Sequence, residues 1–197
     1  MAFSDSFRVF PKLKTARLIL DEILPEDAED YYREQQSALN APNRAPFEFG
    51  FETLSAKNVS SAIGFAQKAW EKKAKLRFAI RLRSTTDEDP DRGRLFGCCE
   101  MFDFQGQYKA ELGFWLGSTY QNQGFMTEAV AAVVRHAFLD MQMGRLYAQT
   151  STQNLASIAM LKKVGFVQEG VLRESTLRGG VWDDSALMGI LAGETLR

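Results

Sequence analysis

Apolar and polar residues follow two periods along this chain, and the changes from one to the other predict a mixed α/β fold. Strand-like runs bounded by turn residues, one of them (76–83) alternating, predict seven strands, over residues 15–23, 76–83, 95–104, 108–117, 145–150, 166–176 and 181–192. Helical spacing and helix-start signals predict four helices, over residues 25–39, 58–75, 126–141 and 154–164. The predicted order of elements is β-α-α-β-β-β-α-β-α-β-β.

The helix predicted over residues 126–141 has one apolar face. Seven residues are spaced to form that face: Met126, Val130, Val133, Val134, Ala137, Phe138 and Met141. Gly144 follows as a helix stop. His136, the chain's single histidine, lies off the apolar face, so we expect it to be exposed.

Glycine-bearing turns at residues 105–107 and 179–180 predict two hairpins. Residues 84–93 are polar and have the composition of a turn. Residues 40–56 hold three phenylalanines, and a loop with its rings in the core is favoured there over a mobile aromatic lid. No repeat or second domain is visible, so residues 1–197 are predicted to form one domain.

Composition and charge exclude several classes of function. Lys+Arg 24 against Asp+Glu 25 gives a formal net charge of −1, which does not favour nucleic acid as a partner. No apolar run approaches the ~20 residues of a membrane span, and no charged-then-apolar leader is visible, so a cytoplasmic protein is expected. Cys98 and Cys99 are adjacent and are expected as reduced thiols. One histidine without Cys/His spacing predicts no metal site.

The most informative segment is the strand-to-helix junction Thr-Tyr-Gln-Asn-Gln-Gly-Phe-Met-Thr-Glu at residues 119–128. A polar turn that passes directly into a helix aims backbone N–H groups and the positive end of the helix dipole at one point. Gly124 allows the backbone angles that such a turn needs and leaves room for a phosphate. The junction predicts an anion site, although an ordinary strand-to-helix turn is the alternative from these residues alone.

Several motifs in order give the chain a resemblance to the GNAT N-acetyltransferases, and in particular to their RimJ/RimL-like branch. The motifs are T-A-R-L-I-L at 15–20, A-E-L-G-F-W-L at 110–116, Y-Q-N-Q-G-F-M-T-E-A at 120–129, N-L-A-S at 154–157, L-K-K-V-G-F at 161–166, E-G-V-L-R at 169–173 and G-G-V-W-D-D at 179–184. The chain matches the general acetyl-CoA pattern Q/R-x-x-G-x-G/A at Gln121 and Gly124. It departs from the pattern at the last position, where Met126 replaces the small residue. The resemblance implies a mostly antiparallel mixed sheet, splayed between two strands and flanked by about four helices.

The resemblance also implies acetyl-CoA as the cosubstrate and assigns residues to it. The implied cofactor-binding residues are Phe114, Trp115, Leu116, Gln121, Asn122, Gln123, Gly124, Phe125, Met126, Thr127, Asn154 and Ser157. The turn would hold the pyrophosphate, the strand edge and Asn154 would hold the pantetheine arm, and Ser157 would act as general acid to the thiolate. From the residues alone, Asn154 is equally a helix N-cap, Ser157 a polar residue of the first turn, and Trp115 a core or cleft-wall side chain.

Glu111 is the implied general base, since it lies on the strand that leads to the turn. A carboxylate beside a partly apolar cleft has a raised pKa, which suits this task. The alternatives are a solvent-facing Glu111 paired with Lys109, and a family mechanism without a dedicated base. Tyr120 is expected to line the cleft.

Two charged segments have ordinary structural explanations that are favoured over functional ones. Residues 68–83 carry seven basic side chains, and a solvated helix face is favoured over a surface that docks ribosomal RNA or CoA phosphates. Asp183 and Asp184 are expected at an exposed strand start and not at a substrate amine.

The expected function is acetyl transfer from acetyl-CoA to a primary amine, such as the N-terminus of a ribosomal protein. One alternative is a small amine: a polyamine, an amino sugar or an antibiotic. Another is a catalytically silent CoA-binding sensor. A homodimer is compatible with the resemblance, and neither membrane nor nucleic acid is expected as a partner.

Overall fold

The computed structural model describes residues 6–39, 56–83, 93–178 and 180–194. The strands are β1 (Leu13–Lys14), β2 (Leu18–Glu22), β3 (Lys75–Leu82), β4 (Leu95–Phe102), β5 (Lys109–Leu116), β6 (Arg145–Ser151), β7 (Val167–Arg178) and β8 (Val181–Leu191). The helices are α1 (Ala28–Leu39), α2 (Ala56–Glu71), α3 (Phe125–Leu139) and α4 (Leu155–Val164). None of these helices is long and apolar enough to span a membrane.

The strands form one eight-stranded sheet in the order β1-β2-β3-β4-β5-β6-β8-β7. All neighbouring pairs are antiparallel except β5 and β6, which are parallel. These two strands pair only where residues 109–111 lie opposite residues 145–147, although both continue further. The sheet is therefore splayed between β5 and β6, which confirms the expected fold.

Apolar side chains cover both faces of the sheet. One cluster packs α3 and α4 on one face, and its members include Phe78, Met101, Val133 and Leu161. The other cluster packs α1 and α2 on the opposite face around Trp115. Because neighbours on a strand point to opposite faces, Cys98 belongs to the second cluster and Cys99 to the first. Both are free, and burial raises the pKa of each thiol.

Most predicted elements are confirmed, with shifts at their ends. The helix predicted over 58–75 ends at Glu71, and Lys75 already belongs to β3. The strand β1 was missed because two residues are too few to show alternation. The predictions for residues 40–55 and 84–92 lie outside the described residues, as does Gly179 in the second hairpin turn.

The expectation that His136 is exposed is wrong, since only 8% of its surface is accessible. The helix α3 packs against β1 and β2 as well as β4 and β5, so its buried surface is wider than the apolar stripe. The imidazole lies edge-on to the ring of Phe78 at 6.4 Å, and its Nδ1 is 2.7 Å from Asp140 Oδ2. His136 lies beside the apolar face of α3 and is covered by other elements, which the spacing of apolar residues along the helix does not indicate.

The expectation that the basic residues of 68–83 form a solvated face is also wrong in part. Arg77 is buried, and its Nε donates to Glu100 Oε2 at 2.5 Å. Arg81 is buried as well, and its guanidinium donates to Asp21 and Asp27 at 2.7–2.8 Å. Both arginines lie on β3 inside the sheet. Glu100 on β4 and Asp21 on β2 lie on neighbouring strands, whereas Asp27 lies in the 3-10 turn that precedes α1.

Candidate active site

The turn between β5 and α3 holds two residues in the left-handed backbone region. Asn122 has φ 59° and Gly124 has φ 79°. Around the turn, the N–H groups of Tyr120, Gln121 and Glu128 donate to backbone carbonyls. Within the described part of the chain, the N–H groups of residues 122–127 donate to no acceptor, and no side chain caps α3. Unpaired donors at a helix N-terminus form an anion site.

Two glutamine side chains hold this turn in place. Gln121 Nε2 donates to the carbonyl of Leu116 at 3.1 Å, and Gln123 Nε2 donates to that of Thr119 at 2.7 Å. Both amides therefore bind the protein's own backbone. Their part in the site is to fix the loop that presents the N–H groups.

The first strand region is tied to the same turn through Arg17 and Glu128. The Glu128 carboxylate accepts from Thr15 Oγ1 at 2.5 Å, from the Arg17 N–H at 2.8 Å and from Arg17 Nε at 2.7 Å. Arg17 Nη1 also donates to the carbonyl of Gln123 at 3.0 Å. Burial alone would raise the pKa of Glu128, but these hydrogen bonds from Thr15 and Arg17 lower it.

A cavity of about 420 Å³ lies beside the turn, between the end of β5 and the helices α1 and α4. Eleven of the predicted cofactor-binding residues line it: Phe114, Trp115, Leu116, Gln121, Asn122, Gly124, Phe125, Met126, Thr127, Asn154 and Ser157. Gln123 is the one predicted cofactor residue that does not. Sequence reasoning missed several lining residues, including Gln35 and Leu39 on α1 and Lys163 on α4.

Asn154 and Ser157 occupy the wall formed by α4. Asn154 is the helix N-cap, and its Oδ1 accepts from the Ser157 N–H at 3.1 Å. The capping interpretation of Asn154 is therefore confirmed, and the residue also faces the cavity. Trp115 is 4% exposed and packs edge-on against Tyr31 at 5.0 Å, so it forms both core and cavity wall.

Glu111 lies outside the cavity lining, at the last paired position before β5 and β6 separate. Its strand partner there is Tyr147, whose hydroxyl donates to Asp103 Oδ2 at 2.8 Å. Burial raises the pKa of Glu111, the nearby Tyr147 hydroxyl opposes the rise, and the charge of Asp103 adds to it. Lys109 Nζ lies 5.6 Å from the centre of the Tyr147 ring. The structure thus gives Glu111 the raised pKa expected for a base.

Two further predicted residues have defined positions. The ring of Tyr120 stacks on Phe96 at 4.3 Å and lines the cavity, as expected. Asp184 Oδ1 accepts from the Glu174 N–H at 2.8 Å, where β7 bulges against β8. This contact supports the structural explanation of Asp184.

Signals for some of the missed residues were present in the sequence. Arg17 and Glu128 both lie inside the motifs at 15–20 and 120–129, and they carry opposite charges. A pairing between the two motifs could have been inferred from that. Gln35 lies in a polar helix, E-Q-Q-S, where nothing distinguishes it from Gln36.

Unpaired N–H groups at a helix N-terminus, next to two strands that separate, form an arrangement that can bind an extended anionic ligand. The family model for the acetyltransferase (GNAT) domain matches residues 17–167. The chain therefore belongs to the GNAT acetyltransferase family, and the resemblance drawn from its motifs is confirmed.

Individual relatives agree with this membership. The chain is 31% identical over 166 residues to the probable N-acetyltransferase YjcK of Bacillus subtilis, covering 80% of this chain and 87% of the relative. It is 30% identical over 101 residues to the [ribosomal protein uS5]-alanine N-acetyltransferase of Escherichia coli, covering 50% of this chain and 52% of the relative. Mycobacterium smegmatis RimJ, solved in complex with CoA-disulfide, shares the fold with a TM-score of 0.80 at 22% identity, covering 95% of this chain and 88% of RimJ.

Proposed function

We propose that this chain transfers the acetyl group of acetyl-CoA to the N-terminal amine of a protein. The observation that carries the proposal is the set of N–H groups at residues 122–127 that donate to no described acceptor. A diphosphate would accept from these groups and would sit at the positive end of α3. The solved RimJ relative is bound to a CoA derivative, which supports the same class of ligand here.

The parted strands offer a place for the pantetheine arm. Beyond Glu111, β5 has no described partner on its β6 side, so residues 112–116 present backbone groups to the gap. An extended chain with amide groups pairs with such an edge as an added strand would. The thioester would then lie in the gap between the cavity and Glu111.

The chemistry requires one bond to form and one to break. The amine nitrogen bonds to the acetyl carbon, and the bond from that carbon to sulfur breaks. Glu111, which has a raised pKa, would take the proton from the ammonium, directly or through a water beside Tyr147. The nitrogen loses its second proton as the amide forms. Ser157, which lines the cavity on the α4 side, would give a proton to the departing thiolate and regain one from that nitrogen.

The acceptor proposed is the amine of a protein N-terminus. The named activity of the Escherichia coli relative is acetylation of an N-terminal alanine in a ribosomal protein, and the chain aligns with it over half its length. A small amine is the competing acceptor.

Two measurements test this function. Calorimetry with acetyl-CoA tests cosubstrate binding, and release of CoA thiol tests turnover with peptides that begin with Ala or Ser and with spermidine. Peptide-dependent release is the expected result. No uptake of acetyl-CoA would refute the enzyme assignment, and release with spermidine alone would refute the protein acceptor.

A further inference from the structure

One buried polar atom in the cavity wall has no role in the chemistry above. Within the described residues, three buried side-chain polar atoms lack a hydrogen-bond partner: Gln35 Oε1, Trp115 Nε1 and His136 Nε2. Gln35 and Trp115 line the cavity. An unpaired buried acceptor costs free energy unless a partner arrives. Rotation of the Gln35 amide toward a ligand in the cavity would give Oε1 such a partner.

Trp115 has a possible partner nearby, whereas none is evident for Gln35. Burial raises the pKa of the Tyr31 hydroxyl, and the adjacent Trp115 indole N–H opposes that rise. The unsatisfied acceptor that remains is Gln35 Oε1.

The position of Gln35 is fixed by its neighbours on α1. A side chain at Gly117 would collide with the Glu34 carboxylate, so the glycine lets α1 approach the end of β5 closely. Ser37 Oγ accepts from the Ser118 N–H at 2.9 Å. Contacts on both sides of Gln35 thus hold it against the cavity, while the last torsion of a glutamine is broad enough to let the amide turn toward a ligand.

The surroundings of Gln35 indicate the charge of the group it would bind. No acidic residue is among the described residues that line the cavity, and Lys163 is the charged one. A protonated amine would have no counter-charge there. A neutral N–H group would find an uncharged acceptor in a mostly apolar wall formed by residues such as Ala38, Leu39 and Phe114.

We propose that Gln35 binds the N–H of a secondary amide in the ligand, through its side-chain carbonyl. Such an amide has two sources, the pantetheine arm of acetyl-CoA and the first peptide bond of a protein acceptor. The proposal rests on the proposed function, because both sources are ligands of that reaction. It makes Gln35 a binding residue of the same site.

The test compares Gln35→Leu with Gln36→Leu, a matched control one residue along that is half-buried and does not line the cavity. If the amide belongs to pantetheine, the Kd for CoA rises about tenfold in Gln35→Leu, while the Kd for ADP, which lacks pantetheine, does not change. If the amide belongs to the acceptor, the Kd for CoA stays constant. The KM then rises about tenfold for an Ala-Ala-Ala peptide and does not change for propylamine.

The four measurements are the Kd for CoA, the Kd for ADP, the KM for the peptide and the KM for propylamine. The proposal is overturned if Gln35→Leu and Gln36→Leu agree within twofold in all four. An equal rise in the Kd for CoA and for ADP would also overturn it, since that indicates a general distortion of the site. Gln35→Met, measured in the same way, replaces Gln35→Leu if the melting temperature shows that the leucine variant does not fold. Wild-type protein that binds no acetyl-CoA would instead refute the proposed function, which separates the two failures.

Discussion

Replacing Gly124 by alanine tests whether the shape of the turn binds the cosubstrate. Gly124 has φ 79°, and a side chain in this left-handed region costs about 1–2 kcal/mol. A Cβ there would lie 3.4 Å from Arg17 Nη2, which is an ordinary van der Waals contact. Reduced freedom of the unfolded chain offsets about 0.4–1 kcal/mol of the strain. The net loss expected is about 1 kcal/mol, or roughly 2–4 °C in Tm.

The effect on binding is expected to be larger than the effect on folding. The N–H groups of residues 122–127 flank this glycine, and relief of the strain would turn some of them away from the diphosphate. Hydrogen bonds to a charged group contribute about 1.5–3 kcal/mol each. Loss of one such bond would raise the Kd for acetyl-CoA about 10- to 100-fold, which calorimetry would measure directly.

Gly106→Ala is the matched control. Gly106 has φ 56° in the turn between β4 and β5, and the nearest atom to its Cβ would be 3.9 Å away. The backbone strain is therefore similar, but the residue does not line the cavity. If Gly124→Ala and Gly106→Ala lose similar stability and bind acetyl-CoA equally well, the turn does not hold the diphosphate and the reasoning fails.

Three further substitutions test other parts of the structure. Glu128→Gln should raise the Kd for acetyl-CoA several-fold, because Arg17 loses its charged partner beside the turn. Since the pKa of Glu128 is lowered, its carboxylate stabilises the fold at pH values above its ordinary pKa, and this contribution is lost on acidification. In urea unfolding, the free energy of unfolding of Glu128→Gln should therefore fall less than that of wild type when the pH is lowered. Glu111→Gln should remove the acidic limb of the kcat/KM profile, and a retained limb would show that another group titrates there. The pKa of Glu111 is raised, so its burial disfavours folding as pH rises through that pKa, and the glutamine variant should be the more stable one at neutral pH. Arg81→Met should cost about 3–5 kcal/mol in urea unfolding because two buried carboxylates lose their counter-ion, whereas a loss below about 1 kcal/mol would contradict the ion-pair assignment.

The sequence predicted those parts of the site that depend on local geometry. The turn at 121–127 and the N-cap Asn154 are set by residues a few positions apart, and both lie where their motifs indicated. The splay between β5 and β6 came from the family resemblance, since no local pattern shows where two distant strands part. The last paired residues, Glu111 and Tyr147, are far apart in the chain.

What sequence reasoning missed depends on contacts between distant elements. His136 lies on α3, which packs against several strands, and its ring contacts that of Phe78 on β3. Arg77 and Arg81 are buried where carboxylates on other segments reach them. Gln35 gained its place in the cavity because α1 packs against the end of β5. In each case a polar side chain has the same local signal whether it faces solvent or another element.

The strand β5 leads from the proposed proton acceptor toward the proposed diphosphate site. Leu116 lies five positions beyond Glu111, which at about 3.3 Å per residue is roughly 17 Å. Salt screens a partly buried charge less than an exposed one. Distance and not ionic strength therefore limits the influence of the phosphates proposed at the turn on Glu111, whose pKa is raised mainly by burial. The diphosphate site proposed at residues 122–127 and the proton acceptor proposed at Glu111 therefore lie beyond opposite ends of the free edge of β5 at residues 112–116.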